Sequence, residues 1–324
     1  MNLVKSKTAC FSGKNIGPAT LSPSNSEIVF SVSDDADKDS YIYKVRIDGT
    51  NVEALTNDTS YAYAPAYAPD GTSIVFSSMP DKKQGNLYLM KPDGTDKKLL
   101  TSGSHNDFGA IFSRDGQKVF FIRAEHYGNY SPVTAAAWHD MDIFSINTDG
   151  TDLRQITASK YFRIGNLSIS PDGRMLFAEI KIYRSPYSIW AIPVDQPTNK
   201  RPIRPNFGSY KSKTLFFFKE KINYDELYDP EISPDGRNLL FCWKGGPSYK
   251  QIFSMDLETN NAQVLTNMKR TVYSPHFSID GSKIIFKTID YADVGFFKTR
   301  AEPTLWIMNK DGSELSPIII NRHH

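Results

Sequence analysis

Short apolar stretches alternate with polar positions along this chain, and each stretch is entered through a tight polar turn. The turns read Ala68-Pro69-Asp70-Gly71, Ser113-Arg114-Asp115-Gly116, Ser170-Pro171-Asp172-Gly173, Ser233-Pro234-Asp235-Gly236 and Ser278-Ile279-Asp280-Gly281, with a degenerate copy at Ser22-Pro23-Ser24-Asn25. Pro presets φ for the first turn position, Asp bonds its own backbone, and Gly accepts positive φ. A strand follows each turn: Ile28–Phe30, Ile74–Phe76, Val119–Ile122, Met175–Ala178, Leu239–Phe241 and Ile284–Phe286.

A second pattern follows the first. An apolar-aromatic strand leads into Asp-Gly-Thr or Asp-Gly-Ser at Asp48, Asp93, Asp149 and Asp311, and a short strand then ends in Leu-Thr or Ile-Thr at Thr56, Thr101, Thr157 and Thr266. Each unit therefore holds four strands, A to D, with A–B and C–D joined by tight turns. The second turn positions fall at 23, 69, 114, 171, 234 and 279. Four antiparallel strands about every 45 residues, with no amphipathic helix between them, predict an all-β, six-bladed propeller. The expected blades are 15–57, 58–102, 103–158, 159–206, 223–267 and 268–320, with a basic insertion at about 200–222, and the whole chain forms one domain.

The order Ser-Pro-Asp-Gly, Asp-Gly-Thr, Leu-Thr resembles the TolB-like β-propeller family from about Gly17 to Ile320. That resemblance implies the fold and leaves the function open. The N-terminal domain and signal peptide of TolB are not seen here, so its envelope role is not carried over. The propellers of dipeptidyl-peptidase-like enzymes are similar too, but no Gly-x-Ser-x-Gly elbow occurs and no hydrolase domain is expected.

Composition sharpens this. The 38 basic and 36 acidic side chains give a net charge of +2, which does not suggest a nucleic-acid partner. No apolar run approaches the roughly 18 residues of a membrane helix. Cys10 and Cys242 have no metal-site or redox spacing. The N-terminus is basic without a following apolar segment, so a cytoplasmic monomer is expected; removal of a leader would instead make the protein periplasmic or secreted.

Strand A should line the central channel. Two residues before each turn come Thr20, Ala66, Ile111, Ser168, Glu231 and His276; four before come Pro18, Ala64, Gly109, Asn166, Asp229 and Ser274. With period-two alternation these columns share one face. The intervening column, Leu21, Tyr67, Phe112, Ile169, Ile232 and Phe277, reads as packing between blades. Blades 4 to 6 thus supply Asn166, Ser168, Asp229, Glu231, Ser274 and His276, while blades 1 to 3 supply mostly small or apolar groups. Asp229, Glu231 and His276 are of the types that hold a divalent cation or form an acid–base pair. The plainer reading, and the favoured one, is a water-filled polar channel in which these groups satisfy one another and ordered solvent. His105 and Asp107, on the way into blade 3, read as loop-capping residues.

Two B–C connections are long, Ala124–Met141 in blade 3 and Ile289–Pro303 in blade 6, and these blades face each other across the ring. They read as loops bearing His126, Tyr127, Tyr130, Trp138 and His139 on one side and Tyr291, Phe296, Phe297, Lys298 and Arg300 on the other. Long connections of this kind are commonly functional. Lys200 to Lys221 interleaves basic and aromatic residues, which a solvated outer strand explains as well as a nucleic-acid surface does. The expected function is a non-catalytic propeller holding a protein, peptide or glycan over the face of the D–A links and B–C loops. The alternative is a metal-assisted lyase or hydrolase on acidic sugars, since oligogalacturonate lyases have similar propellers; their sites use several His ligands, and here only His276 and His105 stand in reach. No cofactor is required, although a divalent cation in the channel fits the second reading.

Overall fold

The computed structural model describes residues 11, 14–34, 39–57, 61–80, 84–129, 136–183, 185–208, 226–244, 249–293 and 299–320. Among them are six antiparallel sheets, each a four-stranded meander drawn from one continuous stretch of chain. The inner strands A are Lys14–Leu21, Tyr61–Tyr67, Asn106–Phe112, Arg163–Ile169, Leu227–Ile232 and Thr271–Phe277. Each packs against the next, and the sixth returns against the first. The expected six-bladed propeller is the fold.

The repeated motifs form it through local hydrogen bonds. In the A–B turns, Ser113, Ser170, Ser233 and Ser278 donate to the Asp two residues on, at 2.5–2.6 Å. The same hydroxyls accept the backbone N–H five residues on, each at 2.9 Å. Those serine hydroxyls, with the N–H groups that the carboxylates also accept, hold Asp115, Asp172 and Asp235 below the usual carboxylate range. Gly71 takes φ +74 in its turn, and Asn25 takes φ +57 in the degenerate copy, since Asn tolerates that region. The Leu-Thr ending has an equally concrete role. Thr56, Thr101, Thr157 and Thr266 accept a strand C N–H of their own blade, at 2.9–3.0 Å. In these four blades the outer edge is thereby tied to the blade body.

Strand B forms the core. Phe30, Phe76, Phe121, Phe241 and Phe286 are fully buried, each at the same place in its blade. Four of them stack on the strand C aromatic beside them: Tyr43, Tyr88, Phe144 and Phe253. Burying a side chain of this size contributes about 1.5–3 kcal/mol.

Two long connections read as loops are in fact extended hairpins. Strands B and C of blade 3 run Lys118–Asn129 and Ala136–Asn147, and those of blade 6 run Lys283–Asp293 and Thr299–Asn309. Their pairing continues beyond the blade body, to Asn129 opposite Ala136 and Asp293 opposite Thr299. β-forming residues at both flanks let the ladder carry on into solvent. In blade 4, strand D is Arg201–Pro202, and Phe207 beyond it is buried on Trp243 at 4.0 Å. The rest of the basic segment, 209–225, lies outside the described residues. Strand D of blade 6 is Ser316–Ile318. The ring closes without exchanging a strand among the described residues: Lys287 Nζ donates to Ile16 O at 2.8 Å, and Asn25 Nδ2 donates to Asp280 Oδ2 at 2.9 Å.

Candidate functional site

Every strand A carries a bulge at the same height. Pairing with strand B slips between Ile16 and Ala19, Tyr63 and Ala66, Phe108 and Ile111, Ile164 and Leu167, Tyr228 and Glu231, and Tyr273 and His276. Within it Ala64, Gly109, Asp229 and Ser274 adopt left-handed φ of 48° to 63°. Strict alternation therefore breaks between the two columns taken above as one face. The signal was in the sequence: Pro65, Pro230 and Pro275 sit mid-strand, where a missing N–H forces an irregularity.

The bulge divides the six predicted channel residues. Asn166, Ser168, Glu231 and His276 line a cavity of about 220 Å³ at the A–B turn end of the channel. Its opposite wall is Pro18, Ala64, Ala66 and Ile111, so the polar and apolar halves persist. His276 Nδ1 lies 3.5 Å from Glu231 Oε2. Burial pulls the His276 pKa down, but the Glu231 carboxylate outweighs it and the imidazole titrates above its ordinary value. Ser168 Oγ accepts the Ile232 N–H at 2.9 Å, stitching blade 4 to blade 5. Asp229 and Ser274 are buried and do not line the cavity. Asp229 Oδ1 accepts from the Asn166 amide, while Asp229 Oδ2 is buried without a hydrogen-bond partner in the structure. Asp229, Glu231 and His276 thus do not converge as one donor set. Among the described residues no group of three or more His, Cys, Asp or Glu is placed to hold a metal ion.

Sequence reasoning missed a residue beneath this wall. Glu179, from strand B of blade 4, accepts the Asp229 N–H at 2.9 Å. It lies over Gly165, where an added Cβ would sit 2.8 Å from the carboxyl group. Burial, and then the neighbouring Asp229 charge, push the Glu179 pKa up to about 7. In strand B of blade 6, next to blade 5, burial lowers the Lys287 amine to about 8. These groups escaped notice because the channel columns were read from strand A alone.

The other end of the channel has an aromatic collar, also unforeseen. One residue before the deeper column stand Gly17, Tyr63, Phe108, Gly165, Tyr228 and Tyr273, all half-buried. Lys250 lies over both Tyr228 and Tyr273, 4.6 and 4.0 Å from the ring centres. Tyr187 packs against Tyr228 at 5.5 Å.

On the same face rises the blade 3 hairpin. His126 pairs with His139 across it, rings near-parallel at 5.9 Å, and both Nδ1 atoms approach the Asp140 carboxylate at 3.3 and 3.5 Å. Tyr127, well exposed, packs on Trp138 at 5.5 Å. Tyr127 and Trp138 line a groove with Gln84, Ser104 and Glu125. On the opposing hairpin, Arg300 lies in strand C opposite Ala292; Tyr130 and Phe296 lie outside the described residues. Asp107 differs from the expected capping role. It is fully buried in strand A of blade 3 and receives both Nε and Nη2 of Arg123, at 2.7 and 2.8 Å.

A six-fold ring with a half-polar channel, an aromatic collar and two opposed hairpins defines a propeller built around a central binding surface. The sequence profile of the TolB beta propeller domain matches residues 3–211, and the chain belongs to that family. No curated protein matches the sequence. Among solved structures, TolB from Acinetobacter baumannii superposes with a TM-score of 0.59 at 16% identity, over 93% of this chain and 62% of that one. This chain therefore spans less than two thirds of that relative. An oligogalacturonate lyase in complex with manganese gives 0.59 at 16% identity, over 92% of this chain and 74% of the lyase. A puromycin-hydrolyzing peptidase from Mycobacterium tuberculosis gives 0.59 at 12% identity, over 98% and 55%. Likeness at these identities establishes the fold. Among the described residues no helix is long and apolar enough to cross a membrane.

Proposed function

We propose that the chain is a non-catalytic, monomeric binding propeller that holds a protein, peptide or glycan over the face of the D–A links and B–C hairpins. The observation that supports this best is the pair of long hairpins in opposed blades, one of which carries the Tyr127–Trp138 pair beside the aromatic collar. Exposed aromatic pairs of this kind contribute large contact area at small entropic cost. Peptide and glycan arrays probed with the intact chain identify the ligand class. The double substitution Tyr127→Ala with Trp138→Ala is expected to weaken capture at least about tenfold, a loss of about 1.4 kcal/mol. Unchanged capture by a normally folded double variant would place the ligand elsewhere.

The alternative, a metal-assisted lyase or hydrolase on acidic sugars, draws on the Glu231–His276 pair and on the fold shared with oligogalacturonate lyase. The described residues bring two metal-type donors together there rather than three, which fits such a centre poorly. We assign no reaction step to a metal. Manganese uptake lost on His276→Ala, with release of unsaturated uronides, would restore this reading.

A further inference from the structure

The A–B face, remote from the two hairpins, carries a feature that the repeat makes conspicuous. The second turn residue is Pro in blades 1, 2, 4 and 5, but Arg114 in blade 3 and Ile279 in blade 6. These two exceptions sit opposite each other, and they touch: Arg114 Nη1 donates to Ile279 O at 3.1 Å, across the channel mouth. Both residues line the 220 Å³ cavity.

The surrounding turns show what Arg114 has given up. Where Pro is present, it packs beneath the turn glycine of the following blade: Pro23 under Gly71, Pro69 under Gly116, Pro171 under Gly236 and Pro234 under Gly281, two of these spanning neighbouring blades 4–5 and 5–6. The turn after Arg114 has no such cover, and a Cβ added at Gly173 would meet open space.

Arg114, Glu231 and His276 all line this cavity. Glu231 pairs with His276, at 3.5 Å, rather than with Arg114. Arg114 is exposed, and among the described residues its side chain donates to a neutral carbonyl. A guanidinium fork prefers a carboxylate, which it grips through two parallel bonds. Beneath it, Pro18, Ala64, Ala66 and Ile111 offer an apolar wall. At about 220 Å³ the cavity is roomy enough for a small organic acid rather than a single water.

We infer that this cavity is a binding site for a small monocarboxylate with an apolar body, whose carboxylate takes Arg114 away from the Ile279 carbonyl. This site lies on the other face from the proposed macromolecular surface and is independent of it.

The test uses the intact chain with butyrate, hexanoate and benzoate, each alone and each beside its neutral amide, followed by calorimetry and ligand-observed NMR. Saturable binding of at least one acid is expected, with its amide about tenfold weaker or more. Arg114→Pro, which restores the commoner turn residue, and Arg114→Gln should both reduce acid binding about tenfold. Their unfolding midpoints should match the parent, because Arg114 is exposed. Ile111→Trp, filling the apolar half, should abolish binding while Arg114 is intact. No saturable binding of any of the three acids, or undiminished binding by folded Arg114→Pro or Arg114→Gln, would overturn the site.

Discussion

Blades 3 and 5 both bury an aspartate in strand A, and they treat its charge in opposite ways. In blade 3, Asp107 is locked by both arms of the Arg123 guanidinium, which also lies over Phe144 at 4.8 Å. Both carboxylate oxygens are thus satisfied by a side chain of the same blade. In blade 5, Asp229 has one oxygen held by Asn166 of blade 4 and the other without a geometric hydrogen bond among the described residues, while Glu179 accepts from its backbone N–H and Lys287 lies in the neighbouring blade 6. The first arrangement is a structural joint. The second is an incompletely satisfied network buried behind the polar half of the channel.

Breaking the closed joint should have the largest effect. Arg123→Ala strands a buried carboxylate and is expected to cost about 3–5 kcal/mol in denaturant unfolding, whereas Arg123→Met with Asp107→Leu should come back close to the parent. A cost below about 1 kcal/mol for the single variant would mean that the pair is not closed as described. The next effect probes the open network by crowding it. Gly165→Ala pushes a methyl against Glu179 and should cost about 1–3 kcal/mol. Adding Glu179→Ala should recover most of that, so the two substitutions must be strongly non-additive; simple additivity would deny the contact.

The smallest effect is in pH dependence. The Glu179 carboxyl titrates higher in the folded chain than in the unfolded one, so its contribution to stability is present below pH 4.5 and fades as pH rises through about 7. Glu179→Gln keeps the acceptor for the Asp229 N–H. It should flatten the decline of stability between about pH 5 and 8 by an amount on the order of 1 kcal/mol. An unchanged pH profile would show that Glu179 does not carry the titration.

The fold was legible because each motif residue acts within a few positions of itself. Ser113 meets Asp115 two residues on and Lys118 five on, and Thr157 reaches Ile143 within one hairpin. The polar half of the channel was legible as composition and not as geometry. Asn166 and Asp229 meet because a bulge turns them, and a period-two count steps over bulges. Glu179 and Lys250 remained invisible because they reach the channel from outside strand A, across a blade boundary. The blade 3 connection was read as a loop from its length, although its flanks alternate well enough to pair as far as Asn129 and Ala136.

The threonine ties and the seam also differ in when they can form. A tie such as Thr56 to Ile42 closes 14 residues of chain, whereas the Lys287 bond to Ile16 closes 271. Loop-closure entropy grows with the logarithm of length, so the seam costs roughly 3 kcal/mol more to close than a tie does. Blades can therefore assemble one upon another from local contacts as an open arc. The join between blade 6 and blade 1 therefore carries the largest loop-closure cost in the ring, and the central cavity has its full wall only when the two most distant stretches of the chain meet.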